Sequence, residues 1–329
     1  MKLLRGAWKL LVGIKDALVL VAMLLFFGAL FAGLAARPNR AAVTNGALVL
    51  ALDGSIVEQP APPQLNFGGG DTPREYRLRD VIRVLDEAKG DPRVKAVVLD
   101  LDSFAGGLPA ALNDVGAAIG RVRASGKPVL AYATAYSDSS YRLAAHASEI
   151  WMHPMGGTLF SGPGGSRLYY KGLIDKLGVN VHVFRVGKFK SFVEPYTRAD
   201  ESPESKEAST ALYGAIANDW RETIAKARPK AQVAGYLTNP AQLIAATKGD
   251  IARANPAAGL VDKLGDRAAF DKRVAAIAGD APAKSNAGFA AIKYDTYLDA
   301  HPLPTAGDAI GIVTVAGDIV DGKADPGTA

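Results

Sequence analysis

The chain has 329 residues, of which 49% are hydrophobic and 22% are charged, and its formal net charge is +5. This composition is typical of a folded protein with one large or two modest cores. The absence of cysteine excludes disulfides, cysteine nucleophiles and thiolate metal sites. Because the four histidines are scattered and the charges of both signs are interspersed, the sequence predicts no metal site, no cofactor and no nucleic-acid surface.

The amino terminus predicts a membrane anchor. Residues 1–16 carry four basic side chains against one acid, and residues 17–36 carry no charge. A helix of that length spans roughly 30 Å at ~1.5 Å per residue, which matches a bilayer core. The positive-inside rule makes residues 1–16 a cytoplasmic flank and places the body on the extracytoplasmic side of the inner membrane. A cleavable signal peptide is the alternative, since residues 32–36 resemble a cleavage site, but the apolar run is longer than usual for one.

After the anchor, stretches with a period of two residues alternate with stretches of period 3.6. Strands are predicted at 47–57, 94–101, 128–135 and 179–186. Helices are predicted at 78–89, 112–122, 167–177, 202–228 and 267–278. The long helix is predicted to begin at Ser202, because a capping hydroxyl there precedes a proline, and its apolar stripe includes Trp220. Alternation of strands and helices with intervening glycines predicts parallel strands joined by right-handed crossovers.

The segment from Phe184 to Pro195 places two lysines where the predicted strand 179–186 runs into a turn. A lysine that serves as a base must bring its pKa from ~10.4 to ~7–8, which takes roughly 4 kcal/mol of differential desolvation. At strand period two, Lys188 and Lys190 project to the same face. Spacing alone therefore leaves open which of them acts, or whether both are simply solvated.

A short internal repeat indicates a second domain. Residues 52–58, Leu-Asp-Gly-Ser-Ile-Val-Glu, recur as residues 315–321, Val-Ala-Gly-Asp-Ile-Val-Asp, and an alternating aliphatic strand precedes each copy. Both copies are typical of a strand and turn that open a domain. We therefore expect residues 307–329 to begin a second, truncated domain, with chance similarity of two aliphatic strands as the alternative.

Five motifs in order carry a family resemblance. They are Val98–Gly107, Ser125–Val129, Leu168–Val179, His182–Tyr196 and Gly259–Gly265. Over essentially its whole length the chain resembles the S49 serine peptidases, in the long, tandem-domain, membrane-anchored form called signal peptide peptidase A. The resemblance implies an α/β, ClpP/crotonase-like fold of repeated β-β-α units preceded by one transmembrane helix. It also implies a homo-tetramer and a Ser-Lys dyad, whose lysine comes from the amino-terminal domain, here residues 37–306, and whose serine comes from a carboxy-terminal domain.

Carried over by position, the family's aromatic-Lys-Ser-x-x-Glu-Pro element places the catalytic base on Lys190. Lys188 stands where the family does not require a lysine. In such a dyad the neutral amine takes the proton of a serine hydroxyl and later returns it to the leaving amine. The family's Ser-Gly-Gly-aromatic motif aligns its nucleophile with Asp138, so we expect this copy to be degenerate. Residues 104–107 keep the glycines that would form an oxyanion hole.

The expected function is that of the amino-terminal part of a Ser-Lys endopeptidase that degrades cleaved signal peptides and other hydrophobic peptides. Its expected partners are those peptides, the membrane and further copies of the chain, and the fragment alone is expected to be inactive. A membrane-anchored, non-catalytic scaffold of the same fold is one alternative. An acyl-CoA enzyme on the related crotonase fold is another.

Overall fold

The computed structural model describes residues 2–35, 43–61, 73–283, 287–303, 307–308 and 311. The chain divides into two units, Met1–Val43 and Thr44–Ala329. In the first unit, helix α1 spans Lys2–Ala35. Its stretch Leu11–Phe31 is long and apolar enough to cross a membrane by length and composition. This candidate span begins earlier than the predicted anchor and includes the ion pair between Lys15 and Asp16, whose Nζ and Oδ1 atoms are 2.9 Å apart.

In the second unit, hereafter the body, the described residues form eleven strands. In chain order they are β1 (Gly46–Ala51), β2 (Gly54–Val57), β3 (Arg74–Arg77), β4 (Val94–Asp100), β5 (Gly106–Gly107), β6 (Val129–Ala133), β7 (Tyr136–Ser137), β8 (Glu149–Met152), β9 (Thr158–Leu159), β10 (Lys263–Leu264) and β11 (Ala291–Lys293).

The same part of the chain contains eleven further helices. They are α2 (Leu78–Gly90), α3 (Pro109–Ala124), α4 (Asp138–Ala144), α5 (Lys171–Lys176), α6 (Glu194–Thr197), α7 (Pro203–Ala227), α8 (Val233–Thr238), α9 (Pro240–Ala246), α10 (Ile251–Ala257), α11 (Arg267–Ala278) and α12 (Tyr294–Ala300).

The main sheet has six strands in the order β10-β8-β6-β4-β1-β11, and a smaller sheet has the order β3-β2-β5. The described strand pairs are parallel, as predicted. The chain repeatedly forms one strand of the main sheet, then a short strand outside it, then a helix. This order recurs as β4-β5-α3, β6-β7-α4 and β8-β9-α5. The expected α/β fold of repeated β-β-α units is thereby confirmed.

The single strand predicted at 47–57 is wrong, because the chain changes sheets within it. The β1 strand ends at Ala51, and Gly54 opens β2 in the smaller sheet. A Cβ atom on Gly54 would lie 1.8 Å from the carbonyl oxygen of Arg74, so only glycine allows β2 and β3 to approach this closely. An apolar period of two residues continues through the switch, which is why the sequence pattern missed it.

The core lies on both faces of the main sheet. On one face, Phe270 and Val274 of α11 pack against Val98 of β4 and its neighbours in the adjacent strands. The alternate residues Val97 and Leu99 are also buried, and α2 contacts the same strand. Since alternate side chains of a strand point to opposite faces, β4 is buried on both sides.

Residues 167–193, which we call the arm and from here on distinguish from the rest of the body, differ from the prediction. The predicted helix 167–177 is reduced to α5, and the strand predicted at 179–186 is wrong, because these residues have no strand structure. Apolar side chains of the arm are exposed, most strongly Phe184 at 96% and Val186 at 88%. A strand requires a hydrogen-bonded neighbour, and the described part of the chain provides none here.

Candidate functional site

Lys190 lies in the loop that precedes α6. Its side chain is exposed, and so is that of Lys188, whose Nζ lies 4.6 Å from the centroid of the Phe189 ring. The guanidinium of Arg185 donates a hydrogen bond to the carbonyl oxygen of Lys190 at 2.7 Å. Phe192 is 81% exposed. The apolar surroundings that a lysine base requires are therefore not assembled by the described part of the chain.

The Glu-Pro end of the same motif is buried. Glu194 is 2% exposed, and its carboxylate accepts hydrogen bonds from the Ser202 hydroxyl and, at 3.2 Å, from the Ser202 backbone N–H. Burial by itself would raise the pKa of Glu194, but the hydrogen bonds from Ser202, helped by Arg198 and Arg185, hold it below its usual range. The amide of Tyr170 donates to the carbonyl oxygen of Pro195 at 2.6 Å. The motif is thus exposed at its lysine and fixed at its glutamate.

Asp138, at the position predicted for the nucleophile, is the first residue of α4. Ser137 caps this helix through a reciprocal pair of hydrogen bonds with Ser140, which is a capping box. The Asp138 carboxylate accepts hydrogen bonds from the Ser161 N–H at 2.9 Å, from the Ser161 hydroxyl at 3.2 Å and from the Gly162 N–H at 3.3 Å. Asp138 therefore holds the loop after β9 at the place where the family pattern has a nucleophile.

The structure brings the candidate oxyanion glycines to the same place. Gly106 has a φ of 108°, and a Cβ atom there would lie 3.1 Å from the Ser139 Oγ. A cavity of about 390 Å³ lies between these segments. Its lining includes Gly107, Ser137, Asp138, Ser139, Arg142 and Trp220. Lys190 is not among the lining residues, so the predicted base and this degenerate nucleophile position do not share a pocket in the described chain.

Sequence reasoning missed the polar wall of this cavity. Arg142 is 3% exposed and forms an ion pair with Asp219, in which Nη1 and Oδ2 are 2.6 Å apart. Asn113 accepts a hydrogen bond from Arg142 and donates one to Asp219 at 2.9 Å. The indole N–H of Trp220 donates to the backbone carbonyl of Asp138 at 2.9 Å. The sequence did place Trp220 on the predicted apolar stripe of the long helix. The Arg142–Asp219 ion pair joins residues 77 positions apart, so no local sequence pattern indicates it.

A larger cleft of about 1050 Å³ adjoins the lysine loop through Ser191. Its walls come from the glycine-rich residues 163–165 and from the first turns of α7. There Glu201 accepts hydrogen bonds from the hydroxyls of Ser205, at 2.8 Å, and Ser209, at 3.0 Å. Ser191, which follows Lys190 in the motif, therefore faces a hydroxyl-rich cleft.

Residues 121–279 match the model of peptidase family S49. The chain therefore carries a domain of this family. It is 33% identical to Protease 4 of Haemophilus influenzae, over 98% of this chain and 55% of that protein. It is 34% identical to Protease 4 of Salmonella typhi, over 88% of this chain and 48% of that protein. The family resemblance that the motifs indicated is confirmed.

The chain spans about half the length of these Protease 4 relatives. It is also 25% identical to the chloroplastic serine protease SPPA of Arabidopsis thaliana, over 44% of this chain and 21% of that protein. Among solved structures, an enoyl-CoA hydratase/isomerase family protein from Silicibacter pomeroyi aligns over 46% of this chain and 79% of that chain. The identity is 17% and the TM-score is 0.21.

Proposed function

We propose that this chain is the amino-terminal, base-supplying part of a membrane-anchored Ser-Lys endopeptidase. Its substrates in this proposal are cleaved signal peptides and other hydrophobic peptides. The observation that carries the proposal is the match of residues 121–279 to peptidase family S49, because that range includes both Lys190 and Asp138. The relatives named Protease 4, aligned over most of this chain, support the same reaction class.

In this proposal Lys190 is the general base, and the nucleophilic serine comes from a second domain. Asp138 supports a nucleophile from a second domain, because an aspartate stands where the family has its serine, and its carboxylate accepts hydrogen bonds from Ser161 and Gly162. Lys190 is exposed in this chain, so the proposal requires a neighbouring domain that packs on the arm, desolvates the amine and favours its neutral form. The neutral amine would then take the serine proton as the hydroxyl attacks the peptide carbonyl.

The arm also supports assembly into the proposed homo-tetramer. Large apolar side chains along it are exposed, including Leu168, Leu177, Phe184, Val186 and Phe192. Monomeric soluble proteins rarely leave contiguous apolar patches of this kind uncovered, and such patches mark interaction surfaces. We place the body on the extracytoplasmic side of the inner membrane, anchored by α1, on the basis of the basic flank at residues 1–16.

Peptide hydrolysis tests this function. The 329-residue chain and a form extended along its reading frame through a second domain should be assayed on the same hydrophobic fluorogenic peptides. We expect no turnover by the chain alone and turnover by the extended form that serine-directed reagents abolish. Serine-reagent-sensitive turnover by the chain alone would contradict the degenerate site and direct attention to Ser137, Ser139 and Ser140. Assembly of the extended form without turnover would favour the non-catalytic scaffold.

A further inference from the structure

Glu194 and Ser202 form a buried contact that the proposed reaction does not use directly. Glu194 is 2% exposed and Ser202 is 5% exposed. One carboxylate oxygen of Glu194 accepts the Ser202 hydroxyl and the other accepts the Ser202 backbone N–H, so both oxygens are engaged by one residue. The Ser202 hydroxyl oxygen in turn accepts the N–H of Ser205 at 3.1 Å, which caps α7. We call the Glu194–Ser202 contact the clamp.

The clamp suits a carboxylate. Both of its donors point at oxygen, and a buried ionised group is tolerated only when its hydrogen bonds replace the water that it has lost. A glutamine at this position would turn an N–H₂ group toward Ser202, so that the hydroxyl would have to accept where it now donates, and the charge that strengthens both hydrogen bonds would be lost. Removing the serine hydroxyl would delete one bond of the clamp and the helix cap together.

The clamp is connected to Lys190 by a short, closed turn. The amide of Glu194 donates to the carbonyl oxygen of Ser191 at 3.0 Å, and the amide of Arg198 donates to the carbonyl oxygen of Glu194 at 2.9 Å. On the other side, Arg185 donates to the carbonyl oxygen of Lys190 at 2.7 Å. The backbone at Lys190 is therefore held from both directions, although its side chain is exposed. The backbone from which the Lys190 side chain extends is therefore anchored to the start of α7.

We propose that Glu194 is a positioning residue, whose buried clamp to Ser202 fixes Lys190 at the place where the completed active site needs its amine. This inference rests on the proposed function of Lys190 as the base. Proton transfer depends steeply on the distance between the groups, and a misplacement of about 1 Å can cost roughly 10²-fold in rate. The clamp should therefore act on the chemical step and leave substrate affinity largely unchanged.

The test uses Glu194→Gln, Ser202→Ala and Ser202→Thr in the form extended through the second domain. Glu207→Gln is the matched control, because it removes one exposed carboxylate from α7, the helix that Ser202 caps. We expect Glu194→Gln and Ser202→Ala to lower kcat by roughly 10–100-fold with little change in KM. Ser202→Thr should recover most of the rate, since threonine keeps both donors and caps helices well. Glu207→Gln should leave kcat unchanged.

A second readout uses the 329-residue chain itself. Hydrogen exchange should become faster at residues 188–198 in Glu194→Gln and Ser202→Ala, and should stay unchanged in the main sheet. If Glu194→Gln does not fold, Ser202→Ala decides, because it removes a single hydroxyl. Unchanged kcat in both variants, with Lys190→Ala inactive, would overturn the clamp and leave the proposed function standing. Full activity of Lys190→Ala would overturn the proposed function, and with it the positioning role. Faster exchange throughout the body would also overturn it by showing a merely structural role.

Discussion

The main sheet and the arm carry similar apolar sequences, but the apolar side chains are buried in the sheet and exposed in the arm. Leu130 and Ile150, on two adjacent strands of the main sheet, are fully buried, whereas Phe184 and Val186 of the arm are almost fully exposed. The strand β6 has hydrogen-bonded neighbours on both sides, and the arm has none in the described part of the chain. An alternating apolar pattern therefore indicates that a face will be covered, but it does not say which chain covers it.

The difference in burial between the sheet and the arm is also a difference in free energy of folding. Full burial of one large apolar side chain contributes about 1.5–3 kcal/mol, and the arm forgoes this contribution at several positions. Burial of these side chains against another chain or domain would contribute the free energy that the single chain does not gain. The body should thus determine the stability of the chain, and the arm should determine assembly and activity. The following predictions can break or sharpen this division.

The largest expected effect is on activity and comes from the arm. In the form extended through a second domain, Lys190→Ala should lower turnover by about 10²–10⁴-fold, because it removes the general base. Lys190→Arg should fail as well, since a guanidinium does not release its proton near neutral pH. Peptide hydrolysis and unfolding in urea should be measured on the same preparations, and we expect unchanged stability. Lys188→Ala is the control. Loss of activity there with activity retained in Lys190→Ala would show that the base assignment is two residues out.

Replacing one phenylalanine in each region compares their contributions to the free energy of unfolding. Phe270 is fully buried, with its ring centroid 5.0 Å from that of Tyr132 and 5.8 Å from that of Trp151. Phe270→Ala should lower the free energy of unfolding by about 3–5 kcal/mol, through lost transfer energy and a residual cavity. Phe184→Ala should change it by less than about 0.5 kcal/mol, because that side chain is exposed. Urea unfolding of the 329-residue chain measures both. Similar costs at the two positions would show that the arm is packed in solution.

His146 should make the stability of the body depend on pH. Burial, with the nearby charges of Arg123, Arg142 and Lys226, lowers its pKa from 6.5 to about 4, and its Nε2 is buried without a hydrogen-bond partner in the described chain. As the pH falls below ~6.5, His146 takes up a proton in the unfolded state, whereas in the folded state it does so only near pH ~4. Stability from this group is therefore complete above pH ~6.5 and falls, by up to about 3 kcal/mol, as the pH drops to ~4.

The measurement is urea unfolding at several pH values between 7 and 4, for the parent chain and for His146→Leu. We expect the variant to lose less stability than the parent chain across this range. Parallel curves would show that His146 does not govern the acid sensitivity of the body. Gly116 offers a second probe, since a Cβ atom there would lie 2.7 Å from the His146 Nε2 and should force the ring to move.

The sequence predicted the body better than the arm for the same physical reason. The helices α2 and α11 and the strand β4 follow from periodicity and from their glycine or proline boundaries, which are local signals. The strand predicted at 179–186 was wrong because a strand depends on a partner that periodicity cannot identify. The second copy of the internal repeat, at 315–321, lies outside the described residues, so the second domain stays a prediction.

The sequence also predicted only part of the candidate site. Two family motifs, carried over by position, pointed to Lys190 and Asp138, and the assignment of Lys190 as the base remains a proposal. The clamp joins residues eight positions apart across the start of a helix, and the Arg142–Asp219 pair joins positions far apart in sequence. Such contacts exist only after the chain has folded. A buried polar pair is visible in sequence only as an ordinary charged or hydroxyl residue.

The smallest expected effect compares one ion pair from each region. In the body, Asp91 is 8% exposed and accepts hydrogen bonds from Arg93, whose Nη2 is 2.7 Å away, and from the Tyr297 hydroxyl at 3.2 Å. The hydrogen bonds from Arg93 lower the pKa of Asp91 to about 2. In the arm, Lys171 and Asp175 form an ion pair one helical turn apart, and both side chains are exposed.

Because the folded-state pKa of Asp91 lies below its unfolded value, its contribution is complete above pH ~4 and is lost as the pH falls toward ~2. Solvent screens the partly exposed Arg93, so Asp91→Asn should cost only about 1 kcal/mol at pH 7. Asp175→Asn should cost about 0.5 kcal/mol or less, which is the usual value for an exposed pair one turn apart. Urea unfolding at pH 7 compares the two variants. A larger cost at Asp175 than at Asp91 would mean that the arm contributes to the stability of the single chain, and the division between a stabilising body and an assembling arm would fail.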